Sequence, residues 1–397
     1  MITPLLPTYR RMQVAFERGD GMYLFDRDGK RYLDFYSGIG VVALGHCHPH
    51  LVRALQAQAE KLWHVSNLYE IPGQTRLAER LVAATFADTV FFTNSGAESI
   101  ECAIKMVRKY HHDKGDKGRY RLITMSSAFH GRTLAGIAAA GQEKLTHGFE
   151  PLPDGFDVVP FGDLQAVEAA IGPETGGIMV EPIQGEGGIK PVPDDVMRGL
   201  RRLADDHGLL LVFDEIQCGM GRTGKLFAYE WSGVTPDIVT SAKGIGGGFP
   251  LGACLATEDA ASGMTAGTHG TTYGGNPLAM AVGNAVLDIL LEPGFLNRVT
   301  EMGDALHARL AALQQRFPEH IAEVRGHGLM AGLRVPGVEP RAAVPDLVGR
   351  GLCPAPAGDN VIRMLPPLII ENSHIDEAVD IYEAAFSDWS AGGPPAP

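Results

Sequence analysis

Between residues 90 and 242 the sequence alternates short apolar runs with longer stretches of helical periodicity, and few folds accept that pattern. The runs at 90–93, 121–125, 177–181, 209–214 and 237–242 are nearly continuous in apolar residues, as strands buried on both faces are. Helical stretches at 97–110, 164–171 and 194–207 fit between them. Strand and helix in alternation predict an α/β domain with a mainly parallel sheet flanked by helices.

The flanking regions read differently. Residues 23–25 and 31–35 are short apolar runs around Asp26-Arg27-Asp28-Gly29, a hairpin turn. Pro49 opens a helical pattern through Leu51, Leu55, Ala59 and Leu62, and residues 75–85 form a second amphipathic helix. After Gly294 come a helix at 296–317, a Gly-interrupted strand-like stretch at 324–335, a strand at 361–365 and a helix at 375–389. We read residues 49–292 as a large domain. Residues 1–48 join a small α+β domain made by residues 293–397, and the tail 391–397 reads as frayed.

Charge and cysteine usage narrow the function classes. The 34 basic and 47 acidic residues leave a net charge of −13, and no Lys/Arg cluster interrupts it, so a nucleic-acid partner is not expected. The most basic-looking stretch, 108–121, contains Asp113 and Asp116 and reads as a solvated loop. No apolar run of about 18 residues predicts a membrane span, and residues 1–11 lack the form of a secretory signal. Cys47, Cys102, Cys218, Cys254 and Cys353 are odd in number and scattered, which predicts reduced thiols and a cytoplasmic protein. His46, Cys47 and His48 lack a second ligand pair at zinc spacing, so no metal is expected and the three read as a tight turn with incidental polar side chains.

In open α/β sheets, ligands bind beyond the carboxyl ends of the strands. There this sequence places Asp214, Lys243, Glu181 followed by Gln184 and Glu186, and Ser95-Gly96-Ala97. Ser95 and Glu98 match a capping box, which describes a well-capped helix; Gly96 would also let a phosphate approach the free N–H groups of that helix end, and both readings hold together. Lys243 is either a surface lysine before a glycine turn or a desolvated amine fit for a Schiff base. An amine, a carboxylate and a phosphate cradle are the set that pyridoxal phosphate requires.

The ordered segments GHCHP (45–49), TNSGAES (93–99), AFHGRT (128–133), VEPIQGEGG (180–188), LLVFDEIQCGMGRTG (210–224), TSAKGIGGGFPLG (240–252), HGTTYGGNPLA (269–279) and VIRMLPPL (361–368) resemble the class III, omega-amino-acid aminotransferases of pyridoxal phosphate fold type I. The resemblance runs from about Tyr9 to about Trp389 and is greatest to the acetylornithine aminotransferases. It implies transfer of the δ-amino group of N-acetylornithine to 2-oxoglutarate, in arginine biosynthesis, by a homodimer whose site spans the interface. It implies that Lys243 holds the cofactor and shuttles a proton, that Asp214 pairs with the ring nitrogen, and that Gln217 lies near the ring hydroxyl. Phe129 would stack on the ring, Ser95, Gly96 and Ala97 would cradle the phosphate, and Thr272 would reach it from the other subunit. Thr271 would face the substrate, and Tyr9 lies where the chain approaches it.

Substrate carboxylates call for arginine, whose fork matches them. Arg132 reads as a solvated helix-start residue or a distal-carboxylate ligand; Arg363 reads as a strand-edge salt bridge or, by resemblance, the α-carboxylate ligand. An unpaired Arg363 would be costly, so Glu186 is expected to pair with it and to swing away when a carboxylate arrives. Ornithine, succinylornithine, N-succinyl-diaminopimelate and 4-aminobutyrate are rival donors. A non-enzymatic scaffold and a class III racemase or mutase are rival classes. Two look-alikes fail: Gly219–Lys225 begins like a P-loop but has Leu226 where a hydroxyl must hold magnesium, and Gly38-Ile39-Gly40 leads into GHCHP rather than a helix.

Overall fold

A seven-stranded sheet forms the middle of the molecule in the computed structural model, which describes residues 4–395. Its strands in chain order are β1 (Thr89–Thr93), β2 (Arg121–Met125), β3 (Phe156–Val159), β4 (Thr175–Val180), β5 (Leu210–Asp214), β6 (Ile238–Ser241) and β7 (Gly252–Ala256). Across the sheet they lie in the order β1-β7-β6-β5-β4-β2-β3. β7 is antiparallel to both of its neighbours and the other pairings are parallel. The predicted α/β class is therefore correct. β3 and β7 were not anticipated: β7 follows β6 without an intervening helix, so an alternating pattern passes over it.

Side-chain alternation along β5 shows why both faces must be covered. Leu211 and Phe213 enter one cluster with Met197, Leu200 and Ala204 of the helix Asp194–His207. Leu210 and Val212 enter another with Ile100, Ala103, Ile104 and Val107 of the helix Gly96–Asp113. Those four helical residues follow the i, i+3, i+4, i+7 spacing of a single apolar stripe. Truncating one of them, for example Ile104→Ala, should cost ~2–5 kcal/mol. The helix continues to Asp113, so the basic-looking stretch from 108 begins in packed helix rather than in a solvated loop. Buried His111 explains this, because its Nε2 lies 2.7 Å from the Gly176 carbonyl and docks the last turn onto the sheet.

The helix Pro277–Leu290 was also unanticipated. It is apolar nearly all round and buried along most of its length, so it offers no polar face to mark its period. Downstream, Glu323–His327, Met330–Arg334, Val361–Met364 and Ala355–Ala357 form a four-stranded antiparallel sheet, with the helices Phe295–Arg316 and Asn372–Gly392 beside it. The N-terminal strands Phe16–Asp20, Tyr23–Asp26 and Arg31–Asp34 pair in that order, and the last of them pairs with Leu352–Cys353, joining the two ends of the chain. Arg363 lies in an inner strand of the C-terminal sheet, not at an edge as one reading of it required.

Smaller expectations also change. The helix from Pro49 ends at Ala59, before Leu62. The last helix includes Ala391 and Gly392, so the tail is ordered to there; Ala396 and Pro397, like Met1–Thr3, lie outside the described residues. The polar groups of the 46–48 turn are not incidental. His46 Nε2 sits 2.7 Å from Asp34, and His48 Nδ1 accepts from the His50 N–H to cap the next helix. No single helix among the described residues is long and apolar enough to cross a membrane.

Candidate active site

The carboxyl ends of β1, β4, β5 and β6 converge on one cavity of about 430 Å³. Ser95, Gly96, Ala97, Phe129, Arg132, Asp214, Gln217 and Lys243 all line it, so eight of the residues singled out from the sequence come together. The topology explains the convergence, because parallel strands present all their carboxyl ends at the same edge.

Asp214 ends β5 and is buried. Its Oδ1 accepts from the Thr240 hydroxyl at 3.1 Å and from the Ile216 N–H at 3.1 Å, and its Oδ2 lies 2.8 Å from His130 Nδ1. A carboxylate offers about four acceptor positions, so one remains for a ligand. Glu181, just past β4, is a second buried carboxylate in the wall; its Oε2 accepts from the Phe129 N–H at 3.2 Å. Burial, and then the like charge of Asp214, push the Glu181 pKa well above the usual carboxylate range.

Lys243 starts a short 3₁₀ turn, Lys243–Gly246, directly after β6. Its backbone has φ +52°, a left-handed conformation that strains a non-glycine residue and that aims the side chain into the cavity wall. Burial, reinforced by the positive charge of Arg363, pulls its pKa down to about 8. The amine makes no hydrogen bond among the described residues.

The helix Gly96–Asp113 opens at the cavity. Ser95 accepts from the Glu98 N–H at 3.3 Å while Glu98 accepts from the Ser95 N–H at 3.1 Å, the reciprocal capping box expected. The N–H groups of Gly96 and Ala97 keep no acceptor among the described residues and stand at the positive end of the helix dipole. A Cβ on Gly96 would come within 2.7 Å of the Ile216 side chain, which would have to shift to admit it.

Arg363 reaches the same region from the C-terminal sheet. Its Nη1 lies 2.5 Å from Glu186 Oε1 and 3.0 Å from Gln217 Oε1, while its Nε is buried with no partner among the described residues. Burial alone would raise the Glu186 carboxyl, but the Arg363 guanidinium outweighs it and holds Glu186 below its usual range. Arg132 is exposed, with its guanidinium 5.6 Å from the centre of the Phe129 ring.

Glu186 and Arg363 do not line this cavity themselves but meet it through Gln217, and three further named residues lie apart from it. Thr271 Oγ1 accepts from Asn94 at 3.4 Å and from the Gly274 N–H at 3.1 Å, outside the wall. Thr272 is exposed beside it, and Tyr9 is 76% exposed. Sequence reasoning placed Glu181 at a strand end without giving it a role, and gave none to His130, which stands in the AFHGRT segment. Glu181 carried a usable signal, a carboxylate immediately after a buried strand. Periodicity carried no signal for His130, because it lies in an irregular loop beyond β2.

The donor set fits pyridoxal phosphate. An amine with lowered pKa, an acceptor-only carboxylate with a vacant position and unused N–H groups at a helix N-terminus match its aldehyde, ring nitrogen and phosphate. Lys243, Asp214, Gly96 and Ala97 are the residues that would hold it.

A family model described as Aminotransferase class-III matches residues 6–386. The chain is 58% identical over 390 residues to acetylornithine aminotransferase of Agrobacterium fabrum, covering 98% of this chain and 97% of the relative. It superposes on the crystal structure of N-acetylornithine aminotransferase from Stenotrophomonas maltophilia with TM-score 0.84 at 38% identity, covering 96% of this chain and 98% of that one. Ornithine aminotransferase from Toxoplasma gondii superposes with TM-score 0.93 at 29% identity, covering 98% and 93%.

Proposed function

The chain belongs to the class-III aminotransferases, enzymes that use pyridoxal phosphate, and we propose that it transfers the δ-amino group of N-acetylornithine to 2-oxoglutarate, giving N-acetylglutamate 5-semialdehyde and glutamate. The Glu186–Arg363 ion pair at the substrate pocket carries this reading. N-acetylornithine offers an uncharged acetamido group and a carboxylate, whereas glutamate carries carboxylates at both ends. A pocket serving both needs one arginine that can be neutralised and one that stays open. Arg363, capped by Glu186, and exposed Arg132 are such a pair.

The cofactor supplies an aldehyde for the amine and a protonated ring that draws electrons from the carbon being deprotonated. Lys243 holds it and then moves the proton at that carbon, a task suited to an amine with pKa near 8. Asp214 would accept a hydrogen bond from the ring nitrogen, Gln217 would serve the ring hydroxyl, and Phe129 would close one ring face. Ser95, Gly96 and Ala97 would hold the phosphate at the helix end. Arg132 binds the substrate's distal carboxylate. When glutamate or 2-oxoglutarate enters, Glu186 turns away and Arg363 takes the α-carboxylate.

The working unit is a homodimer in the cytoplasm. Trp63, Leu68, Tyr69 and Tyr273 are exposed apolar side chains near Thr272, which supports a subunit face there that carries Thr272 to the partner's phosphate site and Thr271 to its substrate. The free cysteines suit a reducing compartment. The chain divides near residues 48 and 292 into the large and small domains read from the sequence. The substrate claim is tested by measuring glutamate formation from 2-oxoglutarate with each rival ω-amine. N-acetylornithine should give the highest kcat/KM; a higher value for ornithine or 4-aminobutyrate overturns the assignment.

A further inference from the structure

Glu186 sits in the loop 185–189, between the paired strands Ile183–Gln184 and Lys190–Pro191. Its side chain has to leave Arg363 whenever a second carboxylate enters, yet its backbone is not free to follow. The Gly358 N–H donates to the Glu186 carbonyl at 2.9 Å. A Cβ on Gly188 would stand 2.7 Å from the Gly358 carbonyl oxygen, and one on Gly358 would stand 2.8 Å from the Glu186 carbonyl oxygen. Two backbones touch here with no room for a side chain between them. Gly358 opens the turn 358–360 between the paired strands Ala355–Ala357 and Val361–Met364, and the second of these carries Arg363. One turn thus ties the loop of Glu186 to the strand of its partner.

The tie is fastened from the side. Arg325, in the strand Glu323–His327, places Nη1 3.2 Å from the Gly188 carbonyl and 2.7 Å from Asp359 Oδ2, so one nitrogen donates to the loop and to the turn together. Its Nε donates to Glu323 at 2.7 Å, which sets the plane of the guanidinium. Lys190, just past the loop, lies 3.5 Å from Asp359 Oδ2, and Arg334 lies 3.4 Å from Oδ1. Isolated surface ion pairs contribute little, but here three cations share one carboxylate and the Arg325 side chain is only 13% exposed. Burial alone would raise the Asp359 carboxyl, but Arg325, Lys190 and Arg334 outweigh it and hold it below its usual range. Neither Arg325 nor Asp359 is in the cavity wall, so any effect on the reaction has to pass through the loop.

We propose that Arg325 is a positioning residue that pins the loop 185–189 to the turn 358–360, so that the Glu186 side chain swings on a backbone that stays still and returns to Arg363. The inference rests on the cap proposed above for Glu186. The test uses the enzyme loaded with pyridoxal phosphate and reads the ratio of its two half-reactions, N-acetylornithine over glutamate, from single-turnover rates. Only the first needs the cap closed, so Arg325→Met should lower the ratio by about three- to tenfold, the worth of one hydrogen bond. Asp359→Ala frees Arg325 from the turn but leaves it within reach of Gly188, and should lower the ratio less. Introduced into Glu186→Ala, Arg325→Met should change the ratio no further, because residues that act through one another are not additive. Hydrogen exchange at the Gly358 amide, a reading independent of turnover, should speed up in Arg325→Met. If Arg325→Met does not fold, Asp359→Ala decides by the same readings. Equal losses in both half-reactions, unchanged exchange at Gly358, or the same shift with Glu186 already removed would each overturn the proposal. Glu186→Ala separates the two claims: if it leaves the ratio unchanged, the cap fails and this inference falls with it. If it lowers the ratio while Arg325→Met and Asp359→Ala do not, only the inference fails.

Discussion

Two carboxylate pairs stand at or beside this cavity, and they are built in opposite ways. Asp214 and His130 have side chains 2% and 0% exposed, and Asp214 is fastened by three donors from three segments. Glu186 and Arg363 differ in exposure: the arginine side chain is 3% exposed and the carboxylate 33%. Glu186 can leave into water and be solvated there, whereas Asp214 cannot move without stranding buried donors. The same chemistry yields a fixed carboxylate, suited to the cofactor anchor proposed for Asp214, and a removable one, suited to the cap proposed for Glu186.

Substitutions at the fixed end should have the largest effects. Lys243→Ala should lower kcat by about 10²–10⁴-fold through loss of proton transfer, measured as single-turnover rates of both half-reactions. Asp214→Asn should lower both by about 10²–10³-fold, because a preorganised charge is lost. The removable end should behave differently. Glu186→Ala leaves Arg363 unpaired, so the N-acetylornithine half-reaction should fall relative to the glutamate half-reaction by about 30-fold, equivalent to ~2 kcal/mol. An equal loss in both would erase the contrast between the two pairs.

Much of the fixed end was legible in the sequence. Nearly continuous apolar runs gave away β5 and β6, and a charged residue after such a run has little reason to be there except chemistry. Asp214, Lys243 and the Ser95–Glu98 box follow from that logic. His130 was invisible because its partner is 84 residues away and its loop has no period. β7 and the helix Pro277–Leu290 escaped because one lacks a helical spacer and the other a polar face. Thr272 is exposed outside the cavity, and the place proposed for it in a partner's site is something no local pattern encodes.

Two smaller effects sharpen the comparison. Covalent capture of pyridoxal phosphate by the cofactor-free protein should speed up as pH rises through about 8, as the Lys243 amine loses its proton there rather than near 10.5. Stopped-flow absorbance reads the midpoint, and a midpoint near 10 would mean that the amine is not desolvated. Ser95→Ala should cost ~1 kcal/mol of stability in urea denaturation by removing the helix cap.

The central claim is that one lysine at the carboxyl edge of the sheet carries the cofactor. Borohydride reduction of the protein loaded with pyridoxal phosphate, followed by peptide mass mapping, tests it directly. The account predicts a single phosphopyridoxyl adduct on Lys243; an unmodified Lys243, or an adduct confined to other lysines, would contradict it.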